Sequence, residues 1–129
     1  MASRLLLASS SIALFFGGAV HTRSYGKAAT AISASALAPF FAKAFKALWL
    51  IDSTMLFMSA IIFALAAFRP ALASRSVLTL IALMLAVIAT LLYYFVGIIM
   101  PAHLLAVASL LGFGGAALGL VSGDSALSR

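Results

Sequence analysis

Residues 76–100 read SVLTLIALMLAVIATLLYYFVGIIM, twenty-five residues without a charged side chain. A helix needs roughly 20 consecutive apolar residues to cross the hydrocarbon core of a bilayer, because each residue adds about 1.5 Å. The stretch is long enough to cross and too uniformly apolar for the surface of a soluble domain. It predicts a transmembrane α-helix.

Three more apolar stretches flank it, each bounded by charged residues or histidines. Arg69-Pro70 is expected to end the second helix, because proline lacks a backbone N–H and clashes with the preceding turn. Ser76 is the expected N-cap of the third helix, and Pro101 suits the first turn of the fourth. The sequence predicts an all-α, integral membrane four-helix bundle, one multi-pass transmembrane domain over residues 1–129 with spans of approximately 5–21, 47–68, 76–100 and 102–122.

The first stretch is the shortest and has a second interpretation as a cleaved signal peptide. Arg4 precedes a short apolar run that ends in the small residues Gly17 and Gly18. No A-x-A cleavage site follows, which favours a retained helix.

The segment between the first two spans is too long for a tight turn. Leu37, Phe41 and Phe45 fall on one helical face, and Lys43 and Lys46 fall on another. This pattern predicts an amphipathic segment that lies in the headgroup region. In the alternative interpretation, the proline at position 39 simply begins a long second helix.

Composition narrows the classes of partner. The chain has eight Lys and Arg and two acidic residues, so 8% of it is charged, whereas about a quarter of a soluble domain is charged. Hydrophobic residues make up 66% of the chain. The basic residues stand at the ends of apolar stretches, where they anchor helices to headgroups, so nucleic acid is not an expected partner. The chain has no cysteine, which excludes disulfides, thiolate metal sites and iron–sulfur clusters.

Small residues should decide how the helices pack, since lipid tails are as apolar as leucine. Because small residues cover a wide arc of the fourth helix, this helix is also expected to contact other transmembrane subunits or a second copy of the chain. The predicted packing positions are Gly17, Ala86, Gly97, Gly112, Gly115 and Gly119.

The topology gathers His21, Asp52, Tyr93 and His103 at one end of the bundle. A carboxylate inside a span costs roughly 2.5–3.5 kcal/mol on insertion scales, so Asp52 should have a partner. One hypothesis is an ion pair or hydrogen bond that fixes helix packing; another is a protonatable group on a substrate, quinone or proton path. The two histidines could also ligate a haem iron, and with Asp52 they offer the atom types of a zinc or non-haem iron site.

Two functions follow from these features. The first is a non-catalytic accessory or scaffolding subunit, without a cofactor, that packs against a larger membrane assembly. The second is a redox or ligand-binding protein that uses His21, Asp52 and His103 for haem, metal or quinone. No catalytic motif is recognisable, and a transporter or channel ranks last because few polar residues fall near the bilayer midplane. Both termini are expected to be cytoplasmic, although four basic residues lie on each side and the positive-inside rule is undecided.

Overall fold

The computed structural model describes the backbone of residues 1–127 and the side chains of residues 1–119. This part of the chain forms four α-helices, all long and apolar enough to cross a membrane. The predicted all-α four-helix fold is confirmed, and the chain is an integral, multi-pass membrane protein. The helices are α1 (Ala2–Ala34), α2 (Pro39–Phe68), α3 (Arg75–Phe95) and α4 (Met100–Leu127), with a short 3-10 turn at Pro70–Leu72.

Breaker and capping residues set the helix ends. Helix α2 ends at Phe68, before Pro70, as predicted. The expected N-cap at Ser76 is wrong. The Ser74 hydroxyl accepts a hydrogen bond from the Val77 backbone N–H at 3.3 Å, so the cap lies two residues earlier and α3 begins at Arg75. Helix α3 also ends earlier than the predicted span, because Gly97 has φ +95° and a chain with that backbone conformation leaves the helix.

The predicted interfacial segment between the first two helices is wrong, and the alternative long second helix is confirmed. Helix α1 continues past His21 to Ala34, and α2 begins at Pro39 after a short linker. The charged side chains at Arg23 and Lys27 do not interrupt α1, because charges mark a membrane boundary rather than a helix boundary. Residues 22–48 therefore form two antiparallel helical arms.

The helices are arranged in the order α2–α1–α4–α3 around the bundle. Helix α1 packs along both α2 and α4, and α3 packs along α4, whereas α2 and α3 touch over a short length only. Neighbouring helices run antiparallel. The core at the centre contains the fully buried side chains of Leu14, Phe63 and Leu85, with alanines filling the closest approaches.

Three of the expected packing glycines lie against neighbouring helices. A Cβ on Gly112 would come within 2.8 Å of Phe63 Cζ, and a Cβ on Gly115 would come within 2.6 Å of Leu7 Cγ. A Cβ on Gly17 would lie 2.9 Å from a methyl group of Leu104. Each of these glycines leaves room for a large side chain of another helix.

The other three predicted packing positions are not in close contact with a neighbouring helix in the same way. Ala86 is half-buried, because α3 turns Leu78, Ala82, Leu85 and Ala89 toward the core. Gly119 is exposed, and a Cβ there would meet only the Ser3 hydroxyl at 3.7 Å. As a packing position Gly97 is wrong, since no atom lies within 4 Å of where its Cβ would stand. Its role is the positive φ that ends α3.

Serine hydroxyls join the helices to one another. Ser10 donates to the carbonyl of Ala108 at 2.8 Å, linking α1 to α4, and Ser109 donates to the carbonyl of Ala82 at 2.8 Å, linking α4 to α3. Two similar bonds tie α1 to α4 and to α2: Ser3 to Gly115 and Ser11 to Ala60, both at 2.7 Å. Such bonds hold the register of helices that hydrophobicity alone cannot position in lipid.

Candidate functional site

His21 is the most fully engaged polar side chain at its end of the bundle. It lies on α1 and faces α2, where its Nε2 is 3.4 Å from Asp52 Oδ2 and its Nδ1 is 2.9 Å from the Ser53 hydroxyl. Its ring stacks on Trp49 at a centroid distance of 4.3 Å, and the Trp49 indole N–H donates to the His21 backbone carbonyl at 2.9 Å. Three contacts fix the ring against α2, and a fourth holds the backbone of the same residue.

The contacts of His21 are chemically consistent with a structural role. The Ser53 hydroxyl, which lies against His21 Nδ1, also donates to the Trp49 backbone carbonyl at 3.1 Å, so it connects the ring to the backbone of α2. The Asp52 side chain is 42% exposed, so the pair lies at the edge of the bundle rather than in its core. The sequence predicts a partner for Asp52, and in the structure His21 lies next to it.

Tyr93 and His103 form a second, separate pair. The Tyr93 hydroxyl lies 2.7 Å from His103 Nδ1, and the two rings meet edge to face at 5.4 Å. The pair joins the end of α3 to the first turns of α4, across the turn that Gly97 makes. His103 is exposed, so its other ring nitrogen is open to solvent or headgroups.

The four polar residues therefore form two pairs and not one cluster. No hydrogen bond or ion pair among the described side chains links the α1–α2 pair to the α3–α4 pair. Residues 1–119 also contain no group of three His, Asp or Glu side chains that could hold a metal ion. The predicted three-ligand metal site of His21, Asp52 and His103 does not assemble, because the two histidines belong to different helix pairs.

Ser53 and Trp49 were not singled out as partners of His21. Serine is frequent throughout this chain, and only the spacing offers a signal: Trp49 and Ser53 are four residues apart, on the face of α2 that also carries Leu56 and Ala60. Every buried side-chain polar atom that the structure describes has a hydrogen-bond partner. The described interior therefore contains no unsatisfied group that would point to a ligand.

A second feature at this end is the part of α1 and α2 that extends beyond α3 and α4. The α1–α4 contacts run from Ser3 against Gly115 to Gly17 against Leu104, close to the start of α4. Residues 22–48, here called the protruding hairpin, continue past that level by about 20 Å, at 1.5 Å per residue for the α1 arm. No residue within 22–48 is buried.

The surface of the protruding hairpin combines aromatic and basic side chains. Phe40 is 74% exposed and Phe41 is 55% exposed, and their rings meet edge to face near the tip. Phe45 is also exposed. The hairpin contains no acidic residue, and its basic residues are Arg23, Lys27, Lys43 and Lys46.

Comparison of the chain with protein-family models, with curated protein sequences and with solved structures found no match.

Proposed function

We propose that the protein is a non-catalytic accessory subunit that packs against a larger membrane assembly, and that the protruding hairpin is the surface that its partner covers. The observation that carries the proposal is the exposure of Phe40, Phe41 and Phe45 on a helical structure that stands clear of the four-helix part. Exposed apolar patches that are rimmed by polar residues are typical of interaction sites.

Lipid alone does not account for this surface. Helix α3 has 21 residues and is about 31 Å long, which matches a hydrocarbon core of about 30 Å. The headgroup layer adds only about 5–8 Å on each side. On α2, Phe41 and Phe40 lie seven and eight residues beyond Leu48, about 11–12 Å, so they reach past this layer and need another cover.

The charge of the protruding hairpin indicates the kind of partner. Four basic residues and no acidic residue give the hairpin a formal charge of +4. Charge complementarity steers association and suppresses wrong partners, so the matching surface should carry carboxylates around an apolar centre. We infer a protein subunit with an acidic, partly apolar surface at the membrane boundary.

The small-residue face of α4 is a weaker candidate for the partner surface. Gly112 and Gly115 lie against Phe63 and Leu7 of the same chain, so this part of the face is already used inside the bundle. The alternative function, a redox or ligand-binding protein, also has less support. His21 is held by Asp52, Ser53 and Trp49, and Tyr93 contacts His103.

Site-specific photo-crosslinking tests the proposal. A photoreactive phenylalanine analogue is placed at Phe41 in the cells that produce the protein, and membranes are irradiated and separated by mass. We expect a discrete protein adduct at this position. The matched control is the same analogue at Leu80, an exposed position on α3 that lies within the span and should contact lipid.

Charge reversal provides the second arm of the experiment. Lys27→Glu combined with Lys43→Glu should remove the adduct at Phe41 while leaving the protein in the membrane, because an acidic partner surface would then be repelled. Lipid adducts alone at Phe41, or the same adducts at Phe41 and Leu80, would rule out a protein partner on the protruding hairpin.

A further inference from the structure

The end of the bundle opposite to the histidines contains a cavity of about 580 Å³. All four helices line it, and its inner wall includes Leu7, Ala66, Leu78 and Ala116, which are buried and apolar. Its volume lies within the range of about 300–1,000 Å³ that is usual for sites that hold small molecules. We call it the basic cavity because Arg4 and Arg75 also line it.

The two arginines stand where a helix normally favours acidic residues. Arg4 lies in the first turn of α1, and Arg75 is the first residue of α3. Neither first turn contains an acidic residue, although the positive end of the helix dipole favours an anion there by about 0.3–1 kcal/mol. Asp124, the second acidic residue of the chain, lies beyond residue 119 and so outside the described side chains.

These features describe a cavity whose charge would attract an anion. Two arginines line one cavity, and guanidinium forms paired hydrogen bonds with phosphate. The cavity also lies at the ends of the spans, where the headgroups are expected. Arg4 and Arg75 line one side of it, and buried apolar residues line the other. Basic pockets between transmembrane helices are known to hold anionic headgroups.

We propose that the basic cavity binds the phosphate of an anionic phospholipid, with Arg4 and Arg75 on the phosphate and the apolar wall against the glycerol and the first acyl carbons. A lipid fits better than free phosphate because Leu7, Leu78 and Ala116 offer no polar contact to a small, fully hydrated anion. The site is independent of the protruding hairpin, which lies at the other end of the bundle.

Native mass spectrometry of the detergent-purified full chain tests this site. The protein is titrated with phosphatidylglycerol and with phosphatidylcholine that carries the same acyl chains, and in a third arm with inorganic phosphate. The wild type should prefer phosphatidylglycerol. Arg4→Gln and Arg75→Gln should each weaken that preference about fivefold, and the double variant about thirtyfold, which corresponds to about 1 kcal/mol per arginine.

Two further variants make the result specific. Arg69→Gln removes a charge at the same end from a residue that does not line the cavity, so the preference should remain. Ala73→Phe keeps both arginines and fills part of the cavity, so the preference should fall even if an arginine variant fails to fold. Equal binding of the two lipids by the wild type, or an equal loss in Arg69→Gln, would overturn the proposal. Displacement of phosphatidylglycerol by inorganic phosphate at equal concentration would show a free-anion site instead of a lipid site.

Discussion

Replacement of Gly115 by alanine should destabilise the bundle, whereas the same replacement at Gly26 should not. Both glycines lie within α-helices, but their surroundings differ. A Cβ on Gly26, in the protruding hairpin, has no atom within 4 Å, whereas a Cβ on Gly115 would lie 2.6 Å from Leu7 Cγ and 2.8 Å from Leu7 Cδ2. Carbon atoms pack best at about 3.5–4.0 Å, so the added methyl group overlaps Leu7.

The expected difference in the free energy of unfolding comes from this overlap. Alanine is a better helix former than glycine by about 0.5–1 kcal/mol, and that gain applies at both positions. At Gly115 it is opposed by overpacking, which costs about 1–3 kcal/mol. Leu7 is buried, and the backbone carbonyl of Ser3 would be only 3.3 Å from the new Cβ. Gly115→Ala should therefore be less stable than Gly26→Ala by about 1–3 kcal/mol.

Unfolding of the purified protein by titration of mixed micelles with SDS, followed by circular dichroism, measures this difference. Gly26→Ala serves as the matched control, because it changes helix propensity without changing a contact between helices. Equal stability of the two variants would refute the conclusion that the small size of residue 115 sets the α1–α4 distance.

Four other expectations can be checked with similar samples. Gly97→Ala should lower the free energy of unfolding by about 1–2 kcal/mol through its positive φ, and Gly97→Asn should lower it less; equal losses would contradict the role of the backbone conformation. Ser10→Ala and Ser109→Ala should each lower the free energy of unfolding by about 0.6 kcal/mol in the SDS titration, as is usual for hydrogen bonds between membrane helices. Unchanged free energies in both variants would show that these hydrogen bonds do not stabilise the bundle. Asp52→Asn should keep most of the stability, because an amide can still contact His21 and the site is partly exposed; a loss above about 3 kcal/mol in the same titration would indicate a buried charge pair instead. Reporter fusions should place both termini in the cytoplasm, and reporters on opposite sides would contradict an even number of spans.

The number and type of helices could be predicted from the sequence because lipid imposes one simple rule. Each of the four apolar stretches is long enough to span the bilayer and must satisfy its backbone groups as a helix. Helix length could not be predicted in the same way. The first span was predicted to end at His21, but α1 continues to Ala34 because no proline interrupts this part of the chain.

Part of the candidate site could be predicted, because a charged residue inside an apolar stretch requires a polar partner. Asp52, inside an apolar stretch, required a partner, and His21 at the same end of the bundle provides one. The separation into two pairs was not predictable, because it depends on the rotation of each helix about its axis. That rotation is set by local fits such as Leu7 against Gly115 and Phe63 against Gly112, which no periodicity in the sequence specifies.

The short contact between α2 and α3 determines when the bundle can close during synthesis. Helices α1 and α2 can pair as soon as both have left the ribosome, but the main surface that joins them to the other two helices lies between α1 and α4, the first and the fourth of these helices in chain order. Until α4 enters the membrane, the Ser10 hydroxyl lacks the Ala108 carbonyl and can bond only to its own helix. Completion of the four-helix bundle thus depends on the insertion of α4, and a nascent chain halted before α4 would leave the inner face of α1 open to any other small-residue helix in the bilayer.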